Sequence, residues 1–150
     1  MAYILIPLFV IAVAGIGSWF TSQGMSWYHT LHFPAITPSG AFIGGVWTIL
    51  FILLTVAAIL YWQKSRDEER ASFLALFILN GVLNTFWSYL FFYSHNIAGA
   101  FIEVWFLNLT VLLLIITLWR RYRAAAYLLI PYLVWVSFAT YLNWLILRLN

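Results

Sequence analysis

Five long apolar runs, separated by short polar segments, constrain this chain more than any other feature of its sequence. The runs cover about residues 2–20, 42–62, 71–93, 97–119 and 124–147. Each is close to the roughly 20 residues that a helix needs to cross the hydrocarbon core of a bilayer. A segment in that core must satisfy its own backbone hydrogen bonds, so we expect all five runs to be helices. The sequence therefore predicts an all-α membrane protein, with residues 1–150 forming a single bundle of five transmembrane helices.

The composition excludes a soluble domain. Only 7% of the residues are charged and 65% are hydrophobic, whereas about a quarter of the residues in a soluble domain are charged. The basic residues lie at the ends of the apolar runs, where membrane insertion explains them, so we expect no nucleic-acid-binding surface. The chain has no cysteine, which excludes disulfides and thiolate metal sites.

The distribution of Lys and Arg predicts the orientation. One side of the predicted bundle carries six basic residues, and the other side carries only Arg148; the six are Lys64, Arg66, Arg70, Arg120, Arg121 and Arg123. Positively charged connectors stay in the cytoplasm. We therefore expect a bacterial cytoplasmic membrane protein with the N-terminus inside and the C-terminus outside. No Lys or Arg precedes the first run, which favours a retained helix over a signal peptide.

The segment from Thr21 to Ala41 has no Lys, Arg, Asp or Glu, and it contains Pro34 and Pro38. Two prolines four residues apart disfavour a regular helix, and connectors of this length are usually functional. The aromatic and proline content favours an ordered lid. His29 and His32 lie in this segment without a nearby Cys or carboxylate, so we predict no metal site.

Polar residues inside the apolar runs indicate inward-facing surfaces, because each is costly unless it is satisfied. Asn80, Asn84 and Trp87 fall on one face of the third span. That face forms hydrogen bonds between helices, lines a pocket, or does both. For Glu103 in the fourth span, a hydrogen-bonded packing role is favoured over a proton-titrating group or a ligand contact.

The fifth span contains Pro131, which predicts a kink. Kinks open space between helices, so Trp135, one turn later, is expected to line a cavity. Trp47, early in the second span, could face the same cavity.

Three motifs together resemble the TspO/MBR family, which includes the tryptophan-rich sensory proteins and the translocator protein or peripheral benzodiazepine receptor. They are Trp27-Tyr28-x-x-Leu31-x-x-Pro34-x-x-x-Pro38, Asn80-x-x-x-Asn84-x-x-Trp87, and Pro131-Tyr132-Leu133-x-Trp135-x-x-Phe138-Ala139-Thr140-x-Leu142-Asn143. The family's loop usually reads Pro-x-Trp-x-Pro-Pro, and this chain lacks that Trp and the second of the paired prolines. The strict sterol-recognition pattern also fails, since six residues separate Tyr141 from Arg148.

The resemblance implies a five-helix bundle whose ordered first loop caps a pocket for protoporphyrin IX, haem-related tetrapyrroles and isoquinoline or benzodiazepine drugs. The porphyrin would be a ligand or substrate, and no resident cofactor is required. The implied ligand-binding residues are Tyr28, Pro38, Trp47, Asn84, Trp87, Trp135, Ala139 and Leu142.

Three functions remain open at this point: a porphyrin receptor or sensor, a light-dependent protoporphyrin-degrading enzyme, and a transporter of tetrapyrroles or small amphipaths. In the enzyme, the resemblance assigns catalysis to Trp47 and Trp135. The resemblance also implies a homodimer in the lipid bilayer. The small-residue pairs Ala14-x-x-x-Ser18 and Ala71-x-x-x-Ala75 are compatible with it.

Overall fold

The computed structural model describes residues 1–150, and its only regular elements are helices. They are α1 (Ala2–Tyr28), α2 (Gly40–Lys64), α3 (Asp67–Ser88), α4 (Ile97–Arg121), α5 (Arg123–Leu128) and α6 (Ile130–Leu149), with a π-helical turn at Tyr89–Tyr93 that continues α3. Five segments are long and apolar enough to cross a membrane, and α5 with α6 forms the fifth. The predicted all-α bundle of five spanning helices is confirmed.

The main core lies in the half of the bundle that contains the N-terminus and the α2–α3 connector. It joins residues such as Ile6 of α1, Leu54 of α2, Phe77 of α3 and Leu114 of α4. Lipid tails are as apolar as these side chains, so close packing rather than removal from water holds the helices together. A smaller cluster around Phe91 lies in the opposite half, beneath the loop between α1 and α2.

Helix α1 is longer than the sequence predicts. The first span was expected to end near residue 20, which would place Trp27 and Tyr28 in the lid, but α1 continues to Tyr28. Hydroxyls in this stretch are accommodated because they bond to their own helix: Thr21 Oγ1 donates to the Gly17 carbonyl at 2.9 Å. The ordered loop is therefore residues 29–39.

The third span also begins earlier than expected, at Asp67 rather than residue 71. The acidic residues of the connector form the first helical turn, where negative charge favours the helix dipole. The Arg66 backbone N–H donates to Glu69 Oε2 at 2.8 Å, which caps this end.

The interruption predicted at Pro131 occurs two residues earlier, at Leu129, between α5 and α6. Proline has no backbone N–H, and its ring clashes with the carbonyl four residues before it. The regular hydrogen-bonding pattern resumes when Leu133 N–H donates to the Leu129 carbonyl at 3.1 Å. The break therefore lies just before the residues of α6 that face the bundle interior.

Candidate ligand cavity

A cavity of about 580 Å³ lies in the lid-side half of the bundle. It is walled by α1, α2, α3 with its π turn, α4 and α6, and most of its lining is hydrophobic. Ligand sites in proteins have volumes of roughly 300–1,000 Å³, with apolar walls and few polar groups. The cavity has the size and character of a site for a drug-sized or larger aromatic molecule.

Seven of the eight residues that the sequence singles out line this one cavity: Tyr28, Trp47, Asn84, Trp87, Trp135, Ala139 and Leu142. The structure thus brings together residues from α1, α2, α3 and α6. Pro38 is not part of the lining. It precedes Ser39, whose hydroxyl accepts from the Phe42 backbone N–H at 3.3 Å to cap α2, so this end of the loop turns into α2 instead of covering the cavity.

A buried hydrogen-bond chain connects α3, α4 and α6 at one wall of the cavity. Asn84 Nδ2 donates to the Tyr132 hydroxyl at 3.2 Å, and that hydroxyl donates to Asn80 Oδ1 at 3.2 Å. Asn80 Nδ2 then donates to Thr110 Oγ1 at 2.9 Å. Asn80 therefore joins helices through hydrogen bonds, whereas Asn84 both joins helices and lines the cavity.

A second polar link fixes the indole of Trp87. Its Nε1 donates to Asn143 Oδ1 at 3.0 Å, and Asn143 Nδ2 donates to the Ile97 carbonyl at 3.3 Å. The Trp87 ring stacks on Phe91, with centroids 5.1 Å apart and planes 17° apart. The Phe91 position comes from the π turn, a feature that often occurs at functional sites.

Two polar atoms at the cavity have no partner within the protein. Trp135 Nε1 is buried without a hydrogen bond, and Asn84 uses only its Nδ2 atom, which leaves Oδ1 free to accept. The Trp135 ring lies between Phe42 and Phe138, at centroid distances of 6.2 and 5.6 Å. The site therefore offers one acceptor, Asn84 Oδ1, within an aromatic surround, and Trp135 Nε1 is an unpartnered donor that its neighbours cover.

The sequence model of the TspO/MBR family matches residues 4–149. The chain belongs to this family. It is 36% identical to the tryptophan-rich protein TspO of Chlorobaculum tepidum over 93% of this chain and 90% of that protein. It is 35% identical to TspO of Bacillus cereus over 83% of this chain and 81% of that protein. It is 27% identical to the human translocator protein over 90% of this chain and 82% of that protein.

Family membership and the five apolar helices together make this an integral multi-pass membrane protein. Other relatives carry the names tryptophan-rich sensory protein, in Cereibacter sphaeroides, and CrtK, in Rhodobacter capsulatus. Sensory and translocator names within the family support a membrane receptor or sensor role.

Glu103 departs from its predicted role. It is buried, with 5% of its surface exposed, as its inward face predicts. Both carboxylate oxygens, however, lack any hydrogen-bond partner, so it is not a hydrogen-bonded packing residue. The expectation was wrong because polar side chains of the adjoining helices bond elsewhere: Asn80 of α3 donates to Thr110, and Thr140 Oγ1 of α6 donates to the Val136 carbonyl at 2.8 Å.

Sequence reasoning missed several residues of the cavity and of the hydrogen-bond chain behind its wall. Tyr132 does not line the cavity, but its hydroxyl bonds to both asparagines, and it was part of a motif without being assigned to the site. The hydroxyl residues of late α1, which are Ser18, Thr21 and Ser22, were also missed; Thr21 and Ser22 were missed because the helix was expected to end near residue 20. Their four-residue spacing from Ser18 to Ser22 was the available signal, since it places both on one face.

Proposed function

We propose that this protein is a membrane receptor or sensor that binds porphyrins, such as protoporphyrin IX and haem-related tetrapyrroles, and isoquinoline or benzodiazepine-type ligands in the cavity. The observation that carries the proposal is the meeting of Trp47, Trp87 and Trp135, from three helices, around one apolar space of about 580 Å³. No resident cofactor is needed, because the tetrapyrrole is itself the ligand.

The chemistry of the walls suits a flat aromatic molecule. Aromatic pairs in offset or edge-to-face geometry contribute about 0.5–1.5 kcal/mol each beyond the area that they bury. The unpartnered Nε1 of Trp135 can donate to a carbonyl or carboxylate, and Asn84 Oδ1 can accept from an N–H. A ligand that satisfies both atoms removes the cost of leaving them unpaired.

The test is a titration of the purified protein in lipid nanodiscs with protoporphyrin IX, followed by tryptophan fluorescence quenching. We expect saturable quenching, weakened about five- to tenfold by Trp135→Phe and by Asn84→Ala, since each removes about one hydrogen bond worth roughly 1 kcal/mol. Trp144→Phe is the matched control, because Trp144 does not line the cavity. Unsaturable quenching that is the same in all variants would rule out binding in the cavity.

Light-dependent degradation of protoporphyrin is the second candidate, favoured by the presence of both Trp47 and Trp135 in the lining. The same samples under illumination separate it from binding alone. Loss of the Soret band at equal rates in the wild type and in a Trp47→Phe/Trp135→Phe variant would exclude catalysis by these residues.

We also propose the bacterial cytoplasmic membrane as the location, with the N-terminus inside. Consecutive spans place the N-terminus and both basic connectors at one end of the bundle, where Arg121 Nε donates to the Lys64 carbonyl at 3.0 Å. For the expected homodimer, Ala71 and Ala75 are exposed on α3, whereas Ala14 and Ser18 line the cavity. The α3 pair is therefore the candidate for helix contact between copies, and crosslinking in the bilayer would detect the dimer.

A further inference from the structure

The cavity has an exposed edge between α1 and α2. Ser18 and Ser22 of α1, and Gly44 and Thr48 of α2, line the cavity and are exposed, and the cavity is not enclosed. Exposed residues on both helices, at the wall of a cavity that is open, point to an opening between α1 and α2. Since both helices have the length and hydropathy of membrane spans, this opening faces the bilayer. We refer to these four residues and the gap that they border as the slot.

The slot exists because α1 changes its neighbour along its length. Early in α1, Ile6 and Val10 share the main core with Leu54 of α2. Later in α1, Gly24 lies against the π turn, where a Cβ would be 2.6 Å from the Phe92 carbonyl carbon. Glycine at this position allows the backbones of α1 and the π turn to approach closely. The second half of α1 thus packs on the third span, and the gap opens toward the start of α2.

Hydroxyl groups mark this gap on helices that otherwise face lipid with apolar side chains. Ser22 Oγ donates to the Trp19 carbonyl at 2.7 Å, and Thr48 Oγ1 donates to the Gly44 carbonyl at 2.9 Å. Each oxygen keeps lone pairs that can accept a further hydrogen bond. The Ser18 hydroxyl makes no hydrogen bond. Polar groups at membrane depth are costly and usually mark a pathway or a site.

The loop side of the cavity is closed more firmly than the slot. The His32 backbone N–H donates to Asn150 Oδ1 at 2.9 Å, and Asn150 Nδ2 donates to the His32 carbonyl at 3.0 Å. Leu31 and Phe33 pack against the cluster around Phe91. Opening the lid would break both hydrogen bonds and expose these side chains, whereas the slot already lacks a covering residue.

We propose that the slot is the lateral entrance of the cavity, through which a membrane-dissolved amphipathic ligand enters and leaves while its N–H or O–H groups bond to the slot hydroxyls. This rests on the proposed function, since it assumes a cavity ligand. It restricts the proposed ligands to flat molecules that partition into the bilayer. It also assigns a role to the absence of a side chain at Gly44, which leaves room for the ligand to pass.

The experiment measures binding rates. Wild-type protein in phosphatidylcholine vesicles is mixed with vesicles that carry protoporphyrin IX, and tryptophan quenching is followed by stopped flow in both directions. A Cβ on Gly44 or Gly45 would meet no atom within 4 Å, so a side chain can leave the backbone at either position without a clash. We expect Gly44→Phe to slow both association and dissociation by about tenfold, within the range by which mutations change association rates. The adjacent Gly45→Phe, which does not line the cavity, leaves both rates unchanged.

Thr48→Phe and Ile49→Phe form a second matched pair, should one glycine variant fail to fold, because Thr48 lines the slot and Ile49 does not. Slower dissociation is the decisive readout, because a side chain that merely fills the cavity would speed dissociation. Asn150→Ala, which frees the lid, is expected to change neither rate. Equal rates in all slot variants, or faster exchange in Asn150→Ala alone, would overturn the slot and leave the proposed function standing. Absence of saturable quenching in the wild type would overturn both.

Discussion

The Tyr132 hydroxyl is the central group of the buried hydrogen-bond chain, because it bonds to both Asn84 and Asn80. Tyr132→Phe keeps the ring but leaves an amide donor and an amide acceptor unpaired. Hydrogen bonds between membrane helices are worth about 0.6–1.7 kcal/mol each, so we expect a loss of about 1–2 kcal/mol in the free energy of unfolding. Thermal unfolding in detergent measures it. Tyr141→Phe is the control, since Tyr141 is 51% exposed and its hydroxyl makes no hydrogen bond; equal stability of the two variants would contradict the role of the chain.

The sequence predicted correctly which polar residues face inward, because burying a polar group in lipid costs free energy. Asn80 and Asn84 were placed on an inward face by spacing alone, and both are buried. The same argument could not supply partners, since these are residues 30 to 52 positions away in the sequence, Thr110 and Tyr132. It also failed for Glu103, whose burial follows from its helical face but whose missing partner depends on how its neighbours bond.

Close contact between α1 and the π turn is the element-scale feature that shapes the cavity, and it depends on Gly24. A Cβ there would collide with the Phe92 backbone, which cannot rotate away as a side chain can. We expect Gly24→Ala to destabilise the protein by about 1–3 kcal/mol, the usual cost of overpacking. Gly15→Ala is the control on the same helix, because its Cβ would meet nothing within 4 Å. The measurement is thermal unfolding of both variants. If Gly24→Ala were as stable as Gly15→Ala, α1 would be able to move away from the π turn at no cost.

Element boundaries show how far hydropathy can predict this fold. The centres of all five spans were correct because apolar runs dictate them. Some of their ends were not, such as the end of α1, since polar residues such as Thr21 remain helical when their hydroxyls bond to the preceding turn. The π turn at Tyr89–Tyr93 had no sequence signal, and it packs against α1.

At the scale of the whole molecule, seven of the eight predicted site residues meet in one cavity because they lie on inward faces in the lid-side half of four helices. Helical periodicity predicted which faces of the helices point inward. The family resemblance then indicated which residues on those faces bind a ligand. Pro38 lies outside the lining, and its direction could not be read from the sequence because a loop has no periodicity. The slot could not be predicted from the sequence either, since it depends on how α1 and α2 diverge and not on the residues of either helix alone.

The distribution of charges predicts how the whole molecule is oriented in the membrane. Because the chain has no cysteine, a single introduced cysteine can report on that orientation. Ala35→Cys reports on the loop between α1 and α2, and Glu68→Cys reports on the basic connector; both positions are exposed. Acidic residues contribute little to membrane topology, so replacing Glu68 preserves the signal carried by Lys64, Arg66 and Arg70. With a membrane-impermeant maleimide on intact bacterial spheroplasts, we expect Ala35→Cys to react at once and Glu68→Cys only after permeabilisation. The reverse pattern would place the basic end outside, and equal labelling of both would indicate insertion in two orientations.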